Sequence, residues 1–113
     1  MIAINDVLTA AGNIRDNVRL TPVIAADHLQ IELARDAKVT LKLELLQVTG
    51  SFKARGATNK LLNTDPAVLA KGIVAASGGN HGLATARAGF VSRVPTTIFL
   101  PDNAAPSKIE KLK

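Results

Sequence analysis

Apolar residues at Ile4, Val7, Leu8, Ala11 and Val18 recur at the three- and four-residue spacing of one helix face. Asn5 and Asp6 offer capping groups near the start, so the pattern predicts a helix over residues 4–17. Thr21-Pro22 stops it and favours extended backbone at Thr21. Residues 25–35 read as a second, short helix with Leu29 and Leu33 inward. Val39-Thr40-Leu41-Lys42-Leu43-Glu44-Leu45 then alternates with a period of two and predicts a strand over 39–45. Gly50 breaks the chain, and Ser51 is a candidate cap for a helix over 52–62. Asp65-Pro66 joins a cap to a proline at the first helical position, which predicts a short helix to about residue 70.

Gly72-Ile73-Val74-Ala75-Ala76 is a compact apolar run suited to a strand covered on both faces. Ser77-Gly78-Gly79-Asn80-His81-Gly82 reads as a loop, and residues 83–91 resume helical spacing. Another strand is expected over 94–100, then a turn at Pro101-Asp102-Asn103 and a helix from Ser107 onward. Strands that alternate with helices imply a parallel α/β sheet with crossover helices, and the strands at 73–76 and 94–100 should be parallel neighbours.

Composition narrows the function classes. Of the 113 residues 47% are apolar, which excludes a disordered chain and is enough for one modest domain. With three Phe and no Tyr or Trp, the core must be aliphatic. The absence of cysteine excludes a disulfide scaffold and thiolate metal sites, and no metal site is expected. The N-terminus lacks the basic start and apolar stretch of a signal peptide, and no apolar run approaches the ~20 residues that span a bilayer. A cytoplasmic protein without membrane partners is therefore expected. The net charge of +5 raises nucleic-acid binding as an alternative. Its basic residues are scattered, and the aromatics that stack on bases are scarce, so a solvated basic surface is favoured and nucleic acid is not expected as a partner.

Two loops carry candidate chemistry, each at the start of a predicted helix. In Thr49-Gly50-Ser51-Phe52-Lys53-Ala54-Arg55-Gly56-Ala57, Lys53 falls in the first helical turn. A cation is unfavourable at that positive end of the helix dipole, and the neutral amine is the form that attacks a carbonyl. Taken alone, such a lysine is more often a solvated surface residue. Residues 77–82 follow a strand with a glycine-rich turn and a helix N-terminus, an arrangement of backbone N–H groups that cradles anions. Neither the P-loop pattern nor a dinucleotide fingerprint is present.

Ser51-Phe52-Lys53-Ala54-Arg55-Gly56-Ala57 resembles the S-F-K-x-R-G-A signature of fold-type II pyridoxal-phosphate (PLP) enzymes, and residues 77–82 resemble their S-x-G-N-H-[GA] loop. The spacing between the two, Thr21-Pro22, Lys42-Leu43-Glu44 and Leu100-Pro101 are also similar to that family, in particular to its threonine/serine dehydratases. The resemblance implies a three-layer parallel sheet of the tryptophan synthase β-like type, truncated here. It implies that Lys53 holds PLP as a Schiff base and is the catalytic base, that Phe52 lies beside the cofactor ring, and that Asn80 hydrogen-bonds its 3′-oxygen. Ser77, Gly78, Gly79, Asn80 and His81 would then form the pocket for the carboxylate of a small amino-acid substrate. His81 is expected to order the loop, His28 to lie on the surface, and Arg55 to serve either as an anion ligand or in a structural ion pair.

Racemases of the family tend to carry a second serine after the first in this loop, as an acid/base on the opposite face. Gly78 stands there in this chain, which points to an ammonia-lyase that uses lysine alone to turn L-threonine or L-serine into a 2-oxo acid and ammonia. The other reading is a non-catalytic relative that folds or associates without PLP chemistry. The resemblance also implies a longer, homo-oligomeric protein, with residues 1–45 packing on a large domain and 46–113 forming part of a small one. The family's glycine-rich phosphate loop and its pyridine-nitrogen ligand would lie beyond Lys113, so residues 1–113 alone are expected to bind PLP weakly, to turn over no threonine and to self-associate.

Overall fold

The computed structural model describes residues 1–26 and 38–112. Helix α1 spans Ile4–Ile14, and its first turn is closed by Ala3 N donating to Asp6 Oδ2 at 2.8 Å. The helix stops three residues short of the expected end, and Ile14 is its one buried residue. Strand β1 (Val23–Ala25) pairs antiparallel with β2 (Thr40–Lys42), setting Val23 against Lys42 and Ala25 against Thr40. Ala25 therefore ends a strand, where the sequence suggested that a helix begins. The rest of that expected helix beyond Ala26, with His28, lies outside the described residues.

The strand expected over 39–45 is cut to three residues, and Glu44–Leu46 form a 3-10 turn. Long-range hydrogen bonds account for this departure. Gln47, 2% exposed, accepts from Arg19 N at 2.8 Å and Val48 N at 2.9 Å through Oε1, and its Nε2 donates to Arg19 O at 2.9 Å. Arg55 donates from Nε to Glu44 Oε2 at 2.9 Å and from one terminal nitrogen to Glu44 Oε1 at 2.6 Å. The same terminal nitrogen reaches Arg19 O at 3.1 Å and Thr21 Oγ1 at 3.3 Å, while Thr21 Oγ1 donates to Glu44 Oε1. Glu44 must turn toward Arg55 to make this two-pronged pair, and the strand alternation ends there.

Helix α2 runs Lys53–Leu62, and α3 spans Pro66–Leu69 with Asp65 Oδ1 capping Ala67 N at 2.8 Å, as the Asp-Pro pair predicts. Strand β3 (Ile73–Ala76) lies parallel to β4 (Thr96–Phe99), Ile73 beside Thr96 and Ala76 beside Phe99. Helix α4 (Asn80–Ser92) connects them, and α5 spans Pro106–Glu110. The parallel pairing and its crossover helix agree with the alternating pattern. Coverage on both faces does not: Ile73, Ala75, Thr96 and Ile98 are half-buried, whereas Val74 and Phe99 are 69% and 61% exposed. Among the described residues, α4 covers one face only.

The core sits between α2 and α4. Ala54, Thr58 and Leu61 are buried at positions three and four apart on α2, and Ala84, Thr85 and Ala88 are buried on α4. Small side chains on both helices permit a close crossing, so the core is aliphatic as composition requires but supplemented by threonine. The other side of α4 meets the sheet at two glycines seven residues apart. A methyl group at Gly82 would overlap the Ser77 carbonyl, and one at Gly89 would overlap Thr96 Oγ1. Past α4, Arg93 adopts left-handed backbone (φ 54°), with Arg93 N donating to Phe90 O at 3.2 Å and Val94 N to Gly89 O at 2.9 Å. That is a Schellman stop, usually built on glycine.

Two experiments check these features. In urea titrations, Gly89→Ala should lower stability by about 1–3 kcal/mol, because Thr96 must shift. Arg93→Gly should raise it by up to about 1 kcal/mol, because the left-handed penalty exceeds the entropy glycine adds to the unfolded chain.

The Glu44 carboxyl is held well below its usual 4.5, to about 2, first by the hydrogen bond from Arg55 and then by those from Thr21 and Gln47, against the opposing cost of burial. Arg55 is correspondingly raised by Glu44. A depressed carboxyl stabilises the fold fully above its unfolded value and loses that contribution as pH falls toward its folded value. Glu44→Gln should therefore be about 1–2 kcal/mol less stable than the parent at neutral pH, after discounting for solvent screening. The gap between the two should close between pH 4.5 and about 2 in pH-dependent urea titrations. A gap that persists unchanged at pH 2 would show that the charge of Glu44 contributes nothing.

Candidate active site

Lys53 is the first residue of α2, reached through a turn that Gly50 makes possible by taking φ 73°. Phe52, not Ser51, occupies the N-cap position, and no side chain caps the helix. The expected role of Ser51 as a cap is thus corrected. Its side chain turns inward, leaving the residue 7% exposed, and its Oγ has no hydrogen-bond partner among the described residues. The Lys53 amine lies 5.3 Å from the centroid of the Phe52 ring, within the range at which a cation is attracted to an aromatic face. Phe52 itself is 63% exposed, so the pair stands at an open surface.

Beside it runs a cleft of about 440 Å³, lined by Phe52, Lys53 and Lys60 of α2, Val74 of β3, and His81 and Thr85 of α4. The close crossing of α2 and α4 is what brings these groups together. Lys60 lies two turns beyond Lys53 on the same helix face, and Thr85 one turn beyond His81. Both escaped the motif-based reading, although the seven-residue spacing of the lysines was visible in the sequence. Among the described residues no carboxylate lines the cleft, and the ionisable groups there are two lysines and a histidine. A slightly larger cleft of about 480 Å³, between the turn at Val48, Thr49 and Gly50 and the outer side of α4, contains none of the expected site residues.

The glycine-rich segment is shorter than expected. Gly79 takes the N-cap position of α4, and Asn80, His81 and Gly82 form its first turn where a loop was expected up to residue 82. Asn, His and Gly are weak helix formers, but first-turn N–H groups need no intrahelical partner, so the low propensity costs little there. Ser77 Oγ accepts from Gly79 N at 3.3 Å and braces the turn. At Gly78 a Cβ would come within 3.1 Å of Pro101 Cδ, so even an alanine would press on the turn after β4. The structure thus places Phe52, Lys53 and His81 in one cleft. Ser77, Gly78, Gly79 and the exposed Asn80 directly precede His81 at the carboxyl end of β3 and do not line that cleft. Arg55, which sequence left open between ligand and ion pair, is engaged with Glu44.

These groups fit pyridoxal phosphate in kind. An amine at a helix start can condense with an aldehyde, and an exposed phenyl ring stands beside it. A buried, unpartnered serine hydroxyl lies two residues away. The glycines ahead of the 13-residue α4 leave backbone N–H groups open at a helix N-terminus, which suits an anion.

Comparison with known proteins points the same way. At 35% identity, the "L-threonine dehydratase catabolic TdcB" of Staphylococcus aureus (strain USA300) aligns with all of this chain over 113 residues, which is 32% of that relative. The serine racemase of Dictyostelium discoideum superposes with a TM-score of 0.85 at 33% identity, over 98% of this chain and 36% of its own. Maize serine racemase gives 0.83 at 35%, over 96% and 32%, and the T.th. threonine deaminase gives 0.79 at 32%, over 98% and 34%. The chain therefore spans about a third of the length of the relatives it matches, and its α/β fold is that of fold-type II PLP enzymes. The family described as "Pyridoxal-phosphate dependent enzyme" matches residues 14–113, and with both motifs and the fold in agreement, the chain belongs to that family, whose cofactor is pyridoxal phosphate.

Proposed function

We propose that the full-length protein is a PLP-dependent ammonia-lyase that converts L-threonine or L-serine to a 2-oxo acid and ammonia. The observation that carries this reading is that Lys53 shares a cleft with His81, and the segment that leads into His81 has no side chain at position 78. Bound PLP supplies an electron sink for the charge that develops at the substrate Cα. Lys53 would hold the cofactor through its amine, and that amine would be the base for the proton at the substrate Cα. Phe52 would back the ring, and Asn80 would offer an amide to its 3′-oxygen. Ser77, Gly78, Gly79, Asn80 and His81 receive the substrate carboxylate, with N–H groups at the start of α4 as donors. Overall the substrate would lose its β-hydroxyl with the Cα proton as water, and water would replace the amino nitrogen, giving the 2-oxo acid and ammonia.

Racemisation is the second reading, favoured by the close superposition on two serine racemases. It needs a proton donor on the face opposite Lys53, and Gly78 offers none from the position where a serine would stand. The same reading makes the protein a cytoplasmic homo-oligomer acting on a free amino acid. Among the described residues no helix is long and apolar enough to cross a membrane.

The test is product analysis with L-threonine and L-serine on the full-length, PLP-loaded protein. Formation of 2-oxo acid should exceed formation of D-amino acid by at least about 100-fold, as expected when one of two proton-transfer groups is absent. Lys53→Ala should abolish both. Comparable yields of D-amino acid and 2-oxo acid would overturn the lyase assignment in favour of a racemase.

A further inference from the structure

The first turn of α2 carries the lysine on which the proposed chemistry depends; it is closed by Arg55 N donating to Phe52 O at 3.0 Å, yet no side chain caps it. Phe52 at the N-cap makes no side-chain cap, and Ser51 Oγ bonds nothing among the described residues. The Ala54 N to Ser51 O bond is stretched to 3.5 Å. An uncapped first turn frays readily, and with it the direction in which its side chains point.

What anchors this turn comes from elsewhere in the chain. Arg55, two residues after Lys53, grips Glu44 with two donors at 2.9 and 2.6 Å and reaches Arg19 O at 3.1 Å. Glu44 is held from other sides by Thr21 Oγ1, and at 3.9 Å by Lys42 Nζ, which also donates to Thr21 O at 3.1 Å. Thr21 is 4% exposed, so the far end of the anchor is itself buried. With its Nε and one terminal nitrogen committed to protein oxygens, Arg55 is not presented to the cleft as an anion ligand, and it does not line it.

We propose that Arg55 is a positioning residue for Lys53: by clamping the uncapped start of α2 to Glu44, it holds the lysine amine toward the cleft in place of the missing helix cap. This rests on the reading of Lys53 as the cofactor-holding lysine. The clamp acts through backbone, since Arg55 and Lys53 share one helical turn. A planar two-pronged pair fixes direction as well as distance, which a single ammonium contact does not.

Lys60 supplies an internal reference, because it lines the same cleft but sits two turns further on, beyond the clamp's reach. The full-length protein is incubated with limiting pyridoxal phosphate, reduced with borohydride, digested, and the label on Lys53 and Lys60 is quantified by mass spectrometry. In the parent, Lys53 should dominate. In Arg55→Ala and Glu44→Gln the Lys53:Lys60 ratio should fall by about tenfold or more, as expected when a reacting group is misplaced by a fraction of an ångström to an ångström. Arg55→Lys should recover only part of the loss. Far-UV circular dichroism checks the fold, and if Arg55→Ala fails to fold, Glu44→Gln and Arg55→Lys carry the test. A parental labelling ratio in both of these, alongside a lowered urea midpoint, would overturn the proposal and leave the pair a purely structural one. Equal labelling of Lys53 and Lys60 in the parent would instead overturn the reading of Lys53, and the proposal with it. Selective labelling without any 2-oxo acid would count against the lyase reaction alone and leave the positioning role standing.

Discussion

The guanidinium of Arg55 joins three segments that are distant in sequence: the crossing at residues 19–21, the turn at Glu44–Leu46, and the first turn of α2. An ion pair taken partly out of water is costly unless its remaining hydrogen-bonding groups are satisfied. Here they are. Both Glu44 oxygens accept from Arg55, one also accepts from Thr21, and Gln47 occupies the Arg19 backbone on both its donor and acceptor sides. The Lys42–Glu44 contact, at 3.9 Å with Lys42 44% exposed, adds little beside this, as solvated pairs do. The geometry of the lysine-bearing turn follows from this network, because nothing in the turn itself caps it.

A second constraint sets how near the two chemical segments come. Alanine and threonine line the crossing of α2 and α4, and glycines line the contact of α4 with the sheet. Each small residue forgoes apolar burial, and in return the helix axes approach closely. That approach places His81 across the cleft from Lys53. Val74 and Phe99 are exposed on the sheet face that α4 leaves uncovered, and Phe90 is exposed on α4 itself. Among the described residues the cleft that results is lined by Lys53 and Lys60 and by no carboxylate, so an anionic aldehyde meets attraction from both lysines.

The amino-acid sequence by itself determined the local elements wherever a short-range signal was strong. Asp65-Pro66 starts α3 as capping chemistry requires. The strands at Ile73–Ala76 and Thr96–Phe99 and their parallel pairing follow from compact apolar runs separated by a helix-length segment. The two motifs, read together and in order, carried the family and its cofactor, since lysine at a helix start and glycines ahead of a helix are patterns of adjacent residues. Position 78 is legible in the same way: an absent side chain needs no fold to be seen.

Only the tertiary structure decided what depends on segments meeting in space. Whether Arg55 was a ligand or half of an ion pair turned on the arrival of Glu44, eleven residues away, and that arrival also cut short the strand that alternation predicted over 39–45. Alternation reports a tendency of the backbone worth less than a half-buried, two-pronged charge pair, so the pair prevailed. Ser51 is capping-competent by type, but the packing around it turned its hydroxyl inward and left Phe52 at the cap. The lining of the cleft was decided the same way. His81 and Thr85 enter it because they share the face of α4 that crosses α2, while Asn80 stays at the exposed start of the helix. Neighbouring residues on a helix point about 100° apart, so membership of a motif specifies which residues are close in sequence, and the helix crossing selects which of them face the lysine.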